Sequence, residues 1–495
     1  MSQRSTVLCA LAGLTALGVA VRFASLGLQS YHHDEVITAM RVIPGSFEDM
    51  LHRVKTSESN PPLYYVLGWA WAKAFGSGEV GLRSLSALFG AATVPVGYLA
   101  GRQLASRRAG LVLAALIAVN PMLIWYSQEA RSYALLIFFG ALSFFFFARA
   151  LDTGRGRDLA LWALASALAL CSHYYAVFAI AIETVWLLAA LRSRWRAVLP
   201  SLGAVGLVGL ALLPLANAQT NPTHIGWIEN SPLPERLWET GVSFLVGETG
   251  HVIAEAPRER YALVPLVLIV AGLLLVAVRG SVRERRGAAL GLTLGLGVVG
   301  LTTLAALLGK DYVVERNLLP ALVPLLAAAA IGFALAGARR LGLLLAVALC
   351  AYWLAFDVHV TQTPNLQRPN FRTVTDELGQ PENGRRAIVT WKLAADPVRY
   401  YLHDGAVRLY GGEERIDEIA ILRKPLATGL PVNLPPSFHQ IGRVRADRLT
   451  LITYASRHPV RIPFHSLRDL PTGFGDNAVL IDGSHKEFAG RGEGR

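Results

Sequence analysis

Apolar residues run in long blocks separated by short polar links, and the pattern repeats from residue 7 to residue 360. A bilayer crossing needs about 20 predominantly apolar residues. The blocks predict eleven helices, at 7–28, 82–104, 111–126, 133–151, 159–171, 175–191, 198–216, 263–278, 288–308, 318–336 and 341–360. Several are short for a crossing, 159–171 most of all. Two other stretches read as helices lying in the membrane interface. One is 63–75, opened by Pro61-Pro62 and carrying Tyr64, Tyr65, Trp69 and Trp71; the other is 237–246, which follows Trp227, Pro232 and Pro234 and includes Trp238. Past residue 360 the pattern shifts to strand-like runs at 387–391, 407–410, 449–454 and 478–481, with helix-like 371–378 and 397–402 between them. The expected organisation is an α-helical polytopic membrane domain over 1–360, with a long first outer loop (29–81) and a second (217–261). A soluble α/β domain follows over 361–495, ending in a floppy Gly/Arg tail from 490. No repeat of fixed period is visible.

Composition supports this division. The 495 residues are 53% hydrophobic and only 17% charged, against roughly 25% charged in soluble proteins, so most of the chain belongs in lipid. A net charge of +12 raises nucleic acid as a partner, but many of the arginines sit in alternate links between apolar blocks. With the N-terminus in the cytoplasm, Arg102/Arg107/Arg108, Arg155/Arg157, Arg192/Arg194/Arg196, Arg279/Arg283/Arg285/Arg286 and Arg339/Arg340 all fall on the cytoplasmic side. The basic balance is therefore topological, and no nucleic acid is expected. The same alternation puts the C-terminal domain outside a cell (plasma or inner) membrane. Arg4 ahead of an apolar stretch resembles a signal peptide, but without a cleavage site it reads as an uncleaved first helix. Cys9, Cys171 and Cys350 make no CxxC pair, so neither a disulfide framework nor a thiolate metal site is suggested.

The chemistry-bearing residues gather in the outer links. Tyr31-His32-His33-Asp34-Glu35 follows the first block directly. Its plain reading is a solvated helix cap; its sharper reading makes Asp34 a general base, with Glu35 orienting it or an acceptor group. His32 and His33 are candidate ligands for a divalent cation. Arg131, Arg316 and Lys310 lie on the side where basic residues are disfavoured, and Arg22 lies near the outer end of the first helix. A phosphate is a natural partner for such residues; pairing with Glu129 and Glu315 or snorkelling to headgroups is the alternative. Tyr64, Tyr133, Glu129 and His173 are candidate substrate contacts, and most of the outer tyrosines double as interface anchors.

Taken together, these motifs resemble the GT-C superfamily of lipid-phosphate-sugar glycosyltransferases, in the branch of protein mannosyltransferases and aminoarabinose transferases. The residues that carry the resemblance are Asp34-Glu35, Asn60-Pro61-Pro62-Leu63-Tyr64-Tyr65, Arg83, Glu129-Ala130-Arg131-Ser132-Tyr133-Ala134-Leu135 and Trp227. Arg316-Asn317-Leu318-Leu319-Pro320-Ala321-Leu322-Val323-Pro324 completes the set, which covers 7–336. Asn60 stands where the family usually has His, and Asn317 where it usually has Tyr. The resemblance implies a GT-C type membrane fold and a polyprenyl-phosphate-linked sugar donor. It also implies inverting transfer to an acceptor hydroxyl on a glycan, lipid or protein at the outer membrane face. Asp34 would act as base, with Arg131 and Arg316, joined by Lys310, on the lipid phosphate. No cofactor is required, a divalent cation being the one optional addition. The rival class is a transporter or flippase of a lipid-linked sugar. Such proteins carry inverted repeats and mid-membrane charges, whereas here the unusual charges gather at one face.

Overall fold

A computed structural model describes residues 3–220, 228, 231–248, 258–381, 384–403, 405–424, 431–473 and 476–483; Trp227 and the tail from 490 lie outside the described residues. The chain forms two compact units. The first is Met1–Leu26 with Arg41–Gln362, and the second is Gly27–Met40 with Thr363–Arg495. Residues 27–40, read from sequence as the start of a membrane-domain loop, thus fold with the C-terminal residues.

In chain order the helices are α1 (Gln3–Phe23), the four-residue α2 (His33–Val36), α3 (Phe47–Ser57), α4 (Leu63–Phe75), α5 (Glu79–Leu104), α6 (Arg107–Val119) and α7 (Pro121–Ser127). Next come α8 (Tyr133–Thr153), α9 (Gly156–Ser172), α10 (Ala176–Ala190), α11 (Trp195–Gln219), α12 (Leu233–Val246), α13 (Glu259–Arg279), α14 (Val282–Leu307), α15 (Leu322–Phe333) and α16 (Arg339–Gln362). A π-turn, Ile37–Val42, follows α2, and a 3-10 segment, Glu315–Ala321, leads into α15.

The breaks are written locally. Asn120 ends α6 and caps α7 by accepting from the Leu123 N–H at 3.0 Å, with Pro121 at the first helical position; the two helices meet at a 58° bend. Gly154, at φ 59°, closes α8 in the left-handed conformation that favours glycine. Close helix packing rests on small residues. A Cβ on Gly291 of α14 would sit 2.6 Å from the Pro324 carbonyl oxygen of α15.

Every one of the eleven predicted spans coincides with a helix or, at 111–126, with the bent α6–α7 pair. Among the described residues, eight helices are long and apolar enough to cross a membrane, or nine if the bent pair is one span. The count of eleven is thereby not established, because α9 and α10 have 17 and 15 residues. The protein is a multi-pass membrane protein. The interfacial candidate at 63–75 is α4, 13 residues long.

In the second unit, β1 (Arg386–Trp391), β2 (Ala406–Leu409), β3 (Glu413–Arg423), β4 (His439–Ala446), β5 (Leu449–Pro463) and β6 (Asn477–Asp482) form one sheet in the order β2-β6-β1-β3-β5-β4. Only β1 and β3 pair in parallel. Side chains alternate between two cores: Ile388, Ala420, Leu422 and Leu480 on one face, Val389, Ile419, Ile421 and Val479 on the other. The first core takes α17 (Phe371–Leu378) and α18 (Lys392–Tyr401); the second takes α19 (Phe464–Arg468). The four predicted strands are present. The sequence reading misses β3 and β4, whose many charged residues hide the period-two pattern.

Candidate active site

In the first unit, Arg131 lies just before α8 and is buried. Its Nη1 donates to Glu58 Oε2 at 2.7 Å, and the Tyr65 hydroxyl donates to the same oxygen at 2.7 Å. The backbone N–H of Arg131 also donates to the Glu129 carbonyl at 2.8 Å. Glu58 is a residue that sequence reading passes over, because an acid between serines three positions ahead of a Pro pair looks like loop filler. Its side chain is nonetheless buried, and Asn60 bonds Tyr65 beside it. Glu58→Ala removes the carboxylate that meets a buried guanidinium. It is expected to cost about 3–5 kcal/mol, read as a lowered thermal midpoint in detergent.

His173, at the end of α9, is the next member. Its ring lies 5.6 Å from that of Tyr133 and 5.2 Å from that of Tyr175, and Tyr175 is 5.4 Å from Tyr312, four residues before Arg316. Burial pushes the imidazole down to about 3, and the positive charges of Arg131 and Arg316 push the same way. The Tyr175 N–H donates to Nδ1 at 3.3 Å, which leaves the proton of the neutral ring on Nε2. Two cations and one uncharged imidazole therefore share an aromatic surround. Because the folded value lies below the ordinary 6.5, the unfolded chain binds more protons at acid pH. Stability from this site is complete above about 6.5 and declines as pH falls, by about 2 kcal/mol at pH 5. His173→Asn should flatten that part of the thermal-midpoint pH profile.

The other candidates are distributed unevenly. Tyr64 is buried and packs edge-on against Tyr65, with centroids 5.6 Å apart. Glu129 and Glu315 are buried, and Arg316 is half-buried in the 3-10 segment. Lys310 is exposed on the loop after α14. Arg22 is committed to the bundle. Its Nε donates to Ser127 Oγ at 3.0 Å, and its terminal nitrogens donate to the carbonyls of Gly18, Ala118 and Ile117 at 3.2, 2.9 and 2.9 Å. The bend after α6 frees the last two carbonyls, and Arg22 satisfies them; four of its five N–H groups are thus engaged, which argues against a phosphate role. Arg83 likewise serves the backbone, donating to the Leu26 carbonyl in the turn after α1 at 2.8 Å.

An apolar groove of about 610 Å³ lies between α12, α13, α14 and α15, lined by Leu237, Phe244, Leu263, Leu266, Leu322 and Leu325 among others. Arg236, next to Leu237, donates to both oxygens of Asp311 at 2.8 and 2.6 Å and to the Val313 carbonyl at 2.8 Å. This fork ties α12 to the loop that carries Arg316.

In the second unit, Asp34 is half-buried on α2. Glu35 is fully buried: its Oε2 accepts from the His32 N–H at 3.3 Å and lies 3.6 Å from Arg368 Nη1. His33 Nδ1 is 3.6 Å from Asp396. Burial takes the His32 imidazole down to about 4, against the pull of Asp34, so it is uncharged at neutral pH. Among the described residues no group of three His, Cys, Asp or Glu side chains is arranged to hold a metal ion. Ser30 Oγ donates to the Pro369 carbonyl at 2.9 Å and accepts from the Phe371 N–H at 3.0 Å; the Tyr31 N–H donates to the Tyr401 hydroxyl at 2.6 Å. Sequence reading singled out no C-terminal residue, and these partners carry no motif that would have marked them.

Comparison with known proteins agrees with the motif reading. Residues 59–216 match the family described as dolichyl-phosphate-mannose-protein mannosyltransferase. ArnT from Cupriavidus metallidurans bound to undecaprenyl phosphate aligns over 92% of this chain and 98% of its own, at 12% identity and a TM-score of 0.54; apo ArnT gives 89%, 97%, 12% and 0.55. The Saccharomyces cerevisiae protein O-mannosyltransferase Pmt1-Pmt2 complex bound to the sugar donor aligns over 42% of this chain at 21% identity, TM-score 0.36. The present chain spans about a third, 32%, of that protein's length. Comparison with curated proteins by sequence returns no match. The fold is of GT-C type.

Proposed function

We propose that this GT-C glycosyltransferase moves a sugar from a polyprenyl-phosphate donor to an acceptor hydroxyl, with inversion at the anomeric carbon. The observation that carries this reading is the groove between α12 and α15. Its volume falls in the range of ligand sites, ~300–1,000 Å³; its walls are mostly apolar, with Trp238 and Phe244 among many leucines; and α15 runs directly out of the segment holding Arg316. A polyprenyl chain in that groove would bring its phosphate toward Arg316, and Arg131 shares with Arg316 the neighbourhood of His173. ArnT, whose fold this chain shares, has been captured with undecaprenyl phosphate.

In the transfer, the acceptor oxygen attacks C1 of the sugar and the C1–O bond to phosphate breaks. The bonding electrons leave with the polyprenyl phosphate, and the acceptor proton passes to the Asp34 carboxylate. Arg131 and Arg316 neutralise charge growing on the departing phosphate oxygens. The leaving group is already a stable anion, so the step balances without a metal. The acceptor is a glycan, lipid or protein hydroxyl. The alternating basic links support a cytoplasmic N-terminus in the inner or plasma membrane, with the second unit outside.

The test uses the purified chain in detergent with a panel of radiolabelled undecaprenyl-phosphate-linked hexoses and pentoses. Membranes of a strain lacking the gene supply acceptors. Label should move to acceptor and free undecaprenyl phosphate should appear. Flipping needs two compartments and transfer does not, so label that never moves in detergent would return the assignment to a transporter.

A further inference from the structure

We infer that the C-terminal unit serves as the mount for the catalytic carboxylate, with Arg368 a positioning residue that acts on Asp34 through Glu35; this rests on the transferase reading above. The helix bearing Asp34 has four residues. Isolated helices shorter than about 12–15 residues are marginal in water, so α2 cannot hold its own geometry. What holds it lies more than 300 positions away. Arg368 and Pro369 precede α17, Phe371 begins it, and Asp396 and Tyr401 belong to α18; both helices pack into the core on one face of the second unit's sheet.

The contacts act on both sides of the acid. Before it, Ser30 is gripped twice, by the Pro369 carbonyl and the Phe371 N–H, while the Tyr31 N–H is fixed at 2.6 Å on the Tyr401 hydroxyl. After it, Glu35 spends one oxygen on both the helix N-terminus and Arg368, with no exposure to solvent. Asp34 lies between these two anchored stretches, so its place in the chain is set from both sides. Arg368 is itself buried and also bonds Gln29 through its backbone N–H at 2.9 Å. The sheet thus converts a loop next to the first membrane helix into a rigid support. A misplacement of about 1 Å in a reacting group costs on the order of 100-fold in rate, so the support has a kinetic consequence.

The experiment compares the full-length wild type with Arg368→Gln, Arg368→Lys, Tyr401→Phe and Asp34→Asn in detergent. Three readouts are hydrogen exchange of the 29–36 peptide, affinity for undecaprenyl phosphate, and transfer from whichever panel sugar the wild type uses. Arg368→Gln should speed exchange in 29–36 at least tenfold and lower transfer roughly 100-fold, with undecaprenyl phosphate affinity within twofold of wild type. Arg368→Lys should recover most of both losses, and Tyr401→Phe, a milder change, should speed exchange in the same peptide. Unchanged exchange in both Arg368→Gln and Tyr401→Phe overturns the inference. So does a loss of undecaprenyl phosphate affinity parallel to the loss of rate, which would make Arg368 a donor ligand. Faster exchange with full transfer overturns it as well. If Asp34→Asn transfers normally, the role of Asp34 as base fails separately, whatever Arg368 does.

Discussion

Asp34→Asn is expected to lower sugar transfer by about 100- to 10,000-fold, the range set by loss of a general base, with thermal midpoint and undecaprenyl phosphate affinity near wild type. The substitution is nearly isosteric. It removes the capacity to take a proton but leaves α2 intact, because the cap and the anchoring pair belong to Glu35. The contrast with Glu35 is informative. Glu35→Gln removes the charge facing Arg368 in a fully buried position, so it should lower stability and rate together. Two adjacent carboxylates therefore separate by readout: rate alone for Asp34, rate and stability for Glu35. A fully active Asp34→Asn protein would remove the proposed mechanism.

Arg316→Ala is expected to reduce the rate by about 100- to 1,000-fold, a few kcal/mol of barrier, and to weaken undecaprenyl phosphate binding. Arg316 is half-buried in the 3-10 segment that leads into α15, so its loss should disturb the fold less than loss of Arg131, which pairs with buried Glu58. Arg316→Lys should restore only part of the activity, because an ammonium is a point charge and cannot match the two-pronged geometry of guanidinium on phosphate. Measuring donor affinity and single-turnover rate on the same three proteins separates ground-state binding from stabilisation of the departing phosphate. An unchanged rate in Arg316→Ala would take this arginine out of the site.

Several residues that look alike in sequence do different jobs in the fold. Arg22 and Arg131 both lie near outer helix ends, yet Arg22 spends its guanidinium on backbone carbonyls opened by the α6–α7 bend. Arg131 meets a carboxylate 73 positions away. Lys310 and Arg316 share one loop, yet Lys310 is exposed while Arg316 stands close enough to help keep His173 neutral. Residue type and side of the membrane nominate all four; only the path of the chain separates them.

What the sequence by itself determined is what short-range chemistry encodes. Apolar blocks of crossing length specify membrane helices, and four strand-like runs specify four of the six strands named above, whereas the break at Asn120-Pro121 inside the block 111–126 came only with the structure. Each block and run depends on neighbours within a few positions, so each is legible from a window of the chain. The tertiary structure decided the partners. Glu58 finds Arg131, Arg236 finds Asp311, and residues 27–40 fold with a sheet that begins at residue 386. A buried charge must be met by another charge or hydrogen-bonding group, but which one meets it depends on helices packing side by side. The Tyr31 and Tyr401 contact spans 370 positions, a distance over which no local pattern carries information.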